Sequence, residues 1–216
     1  MFFINALTEI NKEALLSQKT FRILLKAMAH PGRIYPLPAN CEIQNLYQGI
    51  ALVEHNYALA LILKTLLDHE IGFCVLGERK KELETLVMEF TGSFPTDLES
   101  ADFILVSDGD SKGQILKAKE GTLEYPETGA SIIFCVKYIC DSPIKNQTEK
   151  DLNCKVRFKG PGIKGEISAY FYGLKADEFH YLKEKNSQFP LGIDSIFVDA
   201  EANVLCVPRS TNIEVL

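Results

Sequence analysis

The sequence predicts an α/β protein, a mixed β-sheet flanked by helices, and three observations lead there. Helical apolar periodicity fills the first third of the chain, a strand–helix–strand order spans residues 71–106, and from Ser131 onward most apolar runs alternate as strands do. The crossover order implies some parallel pairing, while the short turns of the second half imply antiparallel pairing. Both kinds of pairing in one sheet make it mixed. At 216 residues and 24.2 kDa the chain suits one domain, residues 1–216.

The elements follow in order. From Ser17 the residues Phe21, Leu24, Leu25 and Met28 fall at i, i+3, i+4 and i+7, the stripe of an amphipathic helix that Pro31-Gly32 ends. A second helix is expected from about Tyr47 to Asp68, where Leu59, Leu63, Leu66 and Leu67 repeat at helical intervals. Its apolar centre, Ala58 to Leu67, is ten residues long and contains Lys64, about half of what a bilayer requires. It reads as a buried helix. Ile71–Leu76 is a strand, Glu78–Phe90 a charged helix, Phe103–Val106 a strand and Lys112–Lys119 a short helix. Ile132–Ile139, Cys154–Lys159, Ile167–Tyr172, Ser195–Val198 and Val204–Val207 are strands, with one helix at Ala176–Glu184. The polar stretch Asp141–Asn153 is a loop.

Composition narrows the function. A formal charge of −6 and a pI near 5.3 give no general attraction to nucleic acid or to anionic membrane. The N-terminus lacks the basic region and long apolar core of a secretory signal, and Cys74, Cys135 and Cys206 sit inside apolar strand-like runs without any CxxC spacing. Reduced thiols and a cytoplasmic location follow as expectations, with no metal site.

Gly160-Pro161-Gly162-Ile163-Lys164-Gly165 spells the dinucleotide pattern GxGxxG, but its context opposes that reading. A phosphate-binding loop opens a helix, whereas Gly165 leads into the strand-like Glu166–Tyr172, and Pro161 lacks a backbone donor. The segment is expected to be a turn between strands. Ahead of it, in Cys154–Lys159, the pleat sends Cys154, Val156 and Phe158 to one face and Lys155, Arg157 and Lys159 to the other. Those three cations beside Gly160 and Gly162 could receive phosphate groups or an acidic partner surface, or form a solvated sheet face. Asp194 ends one further turn, where it could orient a cation or cap the turn, and Arg209 lies within another, where it could hold a carboxylate or phosphate or form a structural ion pair. His30 lies at a helix end with no identifiable partner, and no Ser-His-Asp order, nucleophile elbow or P-loop occurs.

Phe21–Gly32, Gly121–Ala130, Gly160–Ile163, Phe189–Asp194 and Val207–Val215, taken in this order, together resemble the PhnH family of subunits of the phosphonate carbon–phosphorus lyase system. The resemblance implies a complex-forming, noncatalytic subunit of the bacterial core complex, which supports displacement of adenine from ATP by an alkylphosphonate. It implies a fold similar to the large domain of pyridoxal-phosphate transferases without the cofactor, a homodimer when isolated, and the other core subunits as partners. No catalytic residue is carried over. Where relatives often have aromatic-His-Thr, this chain has Glu89-Phe90-Thr91-Gly92, so that histidine's role does not transfer. The alternative is a protein that binds a phosphorylated small molecule or nucleotide on its own, through Lys155, Arg157, Lys159 and Arg209.

Overall fold

A computed structural model describes residues 2–38, 49, 51–52, 56–143 and 154–216, with side chains from residue 11 onward. Helix α1 (Phe2–Ala29) begins well before Ser17, and its buried stripe is Leu16, Thr20, Leu24 and Ala27. Phe21 and Leu25, expected in that stripe, are instead exposed. A 4-4-3 spacing keeps the buried four on one face of the helix, and that face packs on α2 (Tyr57–Leu66) and on the sheet. Asn56, in extended backbone, starts α2 by accepting the Leu59 N–H at 3.0 Å; Ala51 and Leu52 before it are helical as expected, so the helix expected from Tyr47 is interrupted at Asn56. Residues 47–48, 50 and 53–55 of that expectation lie outside the described residues, as do 144–153 of the expected polar loop.

The chain builds two sheets where one was expected. The larger has seven strands in the order β1 (Ile34–Pro36), β10 (Asn203–Val207), β9 (Asp194–Asp199), β5 (Ser131–Val136), β4 (Phe103–Val106), β2 (Gly72–Leu76) and β3 (Phe94–Pro95). From β9 to β3 all pairs are parallel, whereas β10 is antiparallel to both its neighbours, so β10 alone runs against the rest. Helix α3 (Lys80–Thr91) supplies the expected crossover after β2, ending on Gly92 in the left-handed conformation. The smaller sheet is antiparallel, in the order β11 (Asn212–Val215), β7 (Cys154–Lys159), β8 (Ile167–Tyr172) and β6 (Tyr138–Cys140). The single run predicted over Ile132–Ile139 is thus divided. At Lys137 the chain leaves the large sheet, and the Lys137 N–H bonds to Tyr172 O at 2.8 Å.

Period-two alternation assigns each strand residue to one of two cores. Phe73, Val75, Leu105, Ile133, Ile196, Val198, Val204 and Cys206 face α1, α2 and α3. Cys74, Ile104, Ile132, Phe134, Phe197 and Leu205 face the other way, against the small sheet, helix α4 (Asp177–Lys185) and a 3-10 turn at Gln114–Lys117, which replaces the helix expected at Lys112–Lys119. The second core centres on aromatic rings. Phe134 stacks on Phe197 at 5.0 Å, and Phe171 lies 4.9 Å from Phe179 and 5.1 Å from Phe197. This core anchors α4 and the small sheet, which together position the candidate site.

Candidate functional site: a groove where the five segments meet

Gly160–Gly165 connects β7 to antiparallel β8, so it is the expected strand-to-strand turn. It is packed rather than open. Gly162 has φ +81°, and a Cβ there would sit 2.3 Å from Ala29 O and 3.0 Å from Pro31 Cδ, which ties this turn to the end of α1. His30 at that end uses Nδ1 on Lys26 O at 3.0 Å, a contact within its own helix.

The other three segments are joined through Arg209. Its Nη2 donates to Asp194 Oδ2 at 2.7 Å, its Nε lies 3.2–3.3 Å from both Asp194 oxygens, and its backbone N–H donates to Oδ1 at 2.8 Å. The remaining arm, Nη1, donates to Pro126 O at 2.6 Å. Next to it a Cβ on Gly129 would fall 2.5 Å from Gly192 O, so only glycine lets the 121–130 loop and the Phe189–Asp194 turn approach this closely. Of the uses open to Arg209 in the sequence the geometry forms the structural ion pair, and Asp194, expected to orient a cation or cap its turn, is the partner, with both side chains mostly buried.

Around these contacts lies a groove of about 460 Å³ between α4 and the segment leading into β11, lined by Pro161, Lys183, Asn186, Phe189, Thr211 and Ile213 among others. Lys183, Asn212 and Ile213 also line an adjoining compartment of about 260 Å³ with Arg157, Lys159 and Glu214. Sequence reasoning missed Lys183 and Thr211. Lys183 stands in no recognisable pattern, Thr211 lies within the Val207–Val215 segment without a signal of its own, and α4 is held at the groove by its packing on β11 and on the 3-10 turn.

The three cations of β7 are on the face that alternation assigns to them, while Cys154, Val156 and Phe158 are buried. Arg157 stands directly across from Glu214 of β11, Nη1 to Oε2 at 3.1 Å, and its Nε is 3.5 Å from Glu166. Lys159 meets Glu166 at 3.1 Å, and Lys159 followed by Arg157 holds the Glu166 carboxyl below its ordinary range. Lys155 lies over the Tyr170 ring at 5.5 Å, away from the groove residues. The structure therefore brings Arg157, Lys159, Gly160, Gly162, Asp194 and Arg209 to one end of the fold and leaves Lys155 aside, with most of these charges already partnered.

A second cavity, about 550 Å³, opens at the carboxyl ends of β4 and β5, where open parallel sheets commonly bind ligands. Two of its four charged residues satisfy each other, while Asp108 accepts the Glu78 N–H at 3.3 Å. Lys175 pairs with Asp110 at 2.6 Å and thereby pulls that carboxyl below its usual value. Behind it Glu178 is fully buried and accepts from the Ser111 N–H and hydroxyl at 2.7–2.9 Å; burial nevertheless raises its pKa. Desolvation also pushes the Cys135 and Cys154 thiols up to about 12, far from the reactive range. The five described cysteines are free, and among the described residues no three His, Cys, Asp or Glu come together as metal ligands. No helix among the described residues is long and apolar enough to cross a membrane.

The five converging segments span nearly the whole chain, and so does the match to a family: the model of the bacterial phosphonate metabolism protein (PhnH) fits residues 8–214. The chain belongs to the PhnH family. It is also 30% identical over 198 residues to a putative C-P lyase subunit protein, HtxG, of Stutzerimonas stutzeri, covering 91% of this chain and 85% of that protein. As a PhnH-family member it is a subunit in phosphonate metabolism. Within that span, Pro161, Phe189 and Arg209–Ile213 line the groove, while residues 21–32 and 121–130 pack behind it through Gly162 and Arg209.

Proposed function

We propose that the chain is a complex-forming, noncatalytic subunit of the bacterial carbon–phosphorus lyase core complex, supporting the step in which an alkylphosphonate displaces adenine from ATP. It acts in the cytoplasm, forms a homodimer when isolated, and has the pyridoxal-phosphate-transferase-like architecture without the cofactor. The assembly part of this reading is supported by the outer face of α1. Leu15, Phe21 and Leu25 are each about half exposed there, an unusual exposure for large apolar side chains spaced along one helix. Lys12, Lys19 and Arg22 flank them, and none has an ion-pair partner among the described residues. In a chain of net charge −6 this face is locally basic, so it suits an apolar surface rimmed by carboxylates on a neighbouring subunit.

The noncatalytic part is supported by the site. Arg209 spends its guanidinium on Asp194 and Pro126, Arg157 and Lys159 face glutamates, and the serine hydroxyl that does meet a carboxylate, Ser111 on Glu178, is fully buried with it. The test is adenine release. Incubated alone with ATP and methylphosphonate, the chain releases no adenine, while the reconstituted complex does. Release by the chain alone, abolished by substitution at Lys159 or Arg209, would replace this reading with the catalytic one.

A further inference from the structure

The groove between α4 and residues Arg209–Ile213 is lined largely by polar side chains, with Phe189 and Ile213 among them. Its volume of about 460 Å³ lies in the range that holds small organic molecules. Lys183, Ser187, Ser210 and Asn212 line it, and none of their side chains has a hydrogen-bond or ion-pair partner among the described residues. Thr211 lines it as well, is 6% exposed, and its Oγ1 is buried with no hydrogen-bond partner. A buried hydroxyl left unbonded lowers the stability of the free protein.

The two ends of the groove differ chemically. At one end Phe189 is 66% exposed, although six other phenylalanines are fully buried. Its turn is fixed at Ile193, whose N–H and carbonyl both bond to the Asn186 side chain, at 2.8 and 3.1 Å, and at Gly192, whose N–H bonds to Glu120 O at 3.0 Å. The exposed ring is therefore presented on a rigid support. Toward the adjoining compartment, Arg157 and Lys159 are balanced by Glu214 and Glu166, which leaves Lys183 as the cation without a counter-ion. One uncompensated cation next to two carboxylates accommodates a single anionic head and disfavours a chain of several.

We propose that this groove binds an elongated organic phosphate with one phosphoryl head. The head sits at Lys183 with the Ser210 and Asn212 side chains around it, and a ring or hydrocarbon body lies between Phe189, Pro161 and Ile213. The proposal rests on the groove alone and does not depend on the subunit reading.

It is tested on the isolated chain by two-dimensional amide NMR with phenyl phosphate as probe, against inorganic phosphate and benzyl alcohol, which carry the head and the ring separately. Phenyl phosphate is expected to shift the Ser187, Ser210, Thr211 and Asn212 amides and to bind at least about tenfold tighter than either half. Lys183→Met and Phe189→Ala alter exposed side chains, keep the fold, and each weaken binding about fivefold or more. Thr211→Val raises the melting temperature of the free protein yet weakens phenyl phosphate, a pairing that a purely structural threonine does not produce. Three results would overturn the proposal: no groove amide moving at millimolar probe, Lys183→Met and Phe189→Ala binding as the unaltered chain does, or inorganic phosphate binding as well as phenyl phosphate.

Discussion

Removing the Arg209 side chain should loosen three of the five segments at once. Arg209→Ala deletes the bidentate contact to Asp194 and the bond from Nη1 to Pro126 O, while the backbone bond from residue 209 to Asp194 Oδ1 survives. Charge-assisted bonds of this kind contribute about 1.5–3 kcal/mol, and breaking a buried pair from one side costs about 3–5 kcal/mol. Asp194 keeps some solvent contact and one backbone donor, which places Arg209→Ala at about 3 kcal/mol. Asp194→Ala removes the acceptor of four donor contacts and strands a guanidinium that is mostly buried, so it should cost more than Arg209→Ala. The double substitution should cost less than the sum by about 1 kcal/mol or more. The chain has no tryptophan, so urea unfolding is followed by far-UV circular dichroism, with an unchanged denaturant slope and a lower midpoint. For a chain of this size the loss corresponds to about 6–12 °C in melting temperature. Hydrogen exchange should rise in residues 121–129, which Arg209 reaches through Pro126. If Arg209→Ala and Asp194→Ala each lie within about 0.5 kcal/mol of the unaltered protein, the pair is a screened surface contact and the reasoning fails.

Three further outcomes follow. Gly162→Ala should cost about 2 kcal/mol or more, since its Cβ meets Ala29 O, whereas Gly165→Ala, at φ +80° with open space around it, should cost about 1 kcal/mol; equal melting temperatures would show that the turn is not packed against α1. Glu178→Gln should flatten a pH dependence. Burial raises the folded pKa of Glu178, so its protonated form is favoured in the native state and the cost of the ionised form fades as pH falls toward the ordinary value of 4.5. The stability difference between the unaltered chain and Glu178→Gln should therefore shift in favour of the unaltered chain between pH 8 and pH 5, and thermal melts moving the other way would contradict this. Leu25→Glu, on an exposed position of α1, should change the melting temperature little and weaken association with partner subunits, read by light scattering.

Some of this architecture was legible in the residues and some was not, for physical reasons. Phe103–Val106 and Gly72–Leu76 were read nearly to the residue because buried parallel strands leave short apolar runs between polar turns. The phase of α1 was misread. Its sequence carries two apolar stripes side by side, and the buried one contains Thr20, which a hydrophobicity pattern discounts, while the exposed one contains Phe21 and Leu25. The change of sheet at Lys137 left no signal, since Val136 and Ile139 both enter the same second core and the apolar run continues through the change. Strand β11 was hidden by its length: Ile213 alone of its four residues is fully buried. At the site, Arg209 was legible as an anion holder or one half of an ion pair, but its partner Asp194 was read as a cation site or turn cap, and the guanidinium's other acceptor, Pro126 O, lies 83 positions away. The basic face of β7 was legible as charge, whereas Glu166 and Glu214 become its partners only through the pairing of β7 with β8 and β11.

The central claim is that this PhnH-family chain works as part of an assembly. Its most direct test is size-exclusion chromatography with light scattering of the chain mixed at micromolar concentration with the other purified, folded core subunits. The account predicts co-elution in one complex, lost on charge reversal of Lys19 and Arg22. A chain that elutes alone while the remaining subunits assemble without it would contradict it.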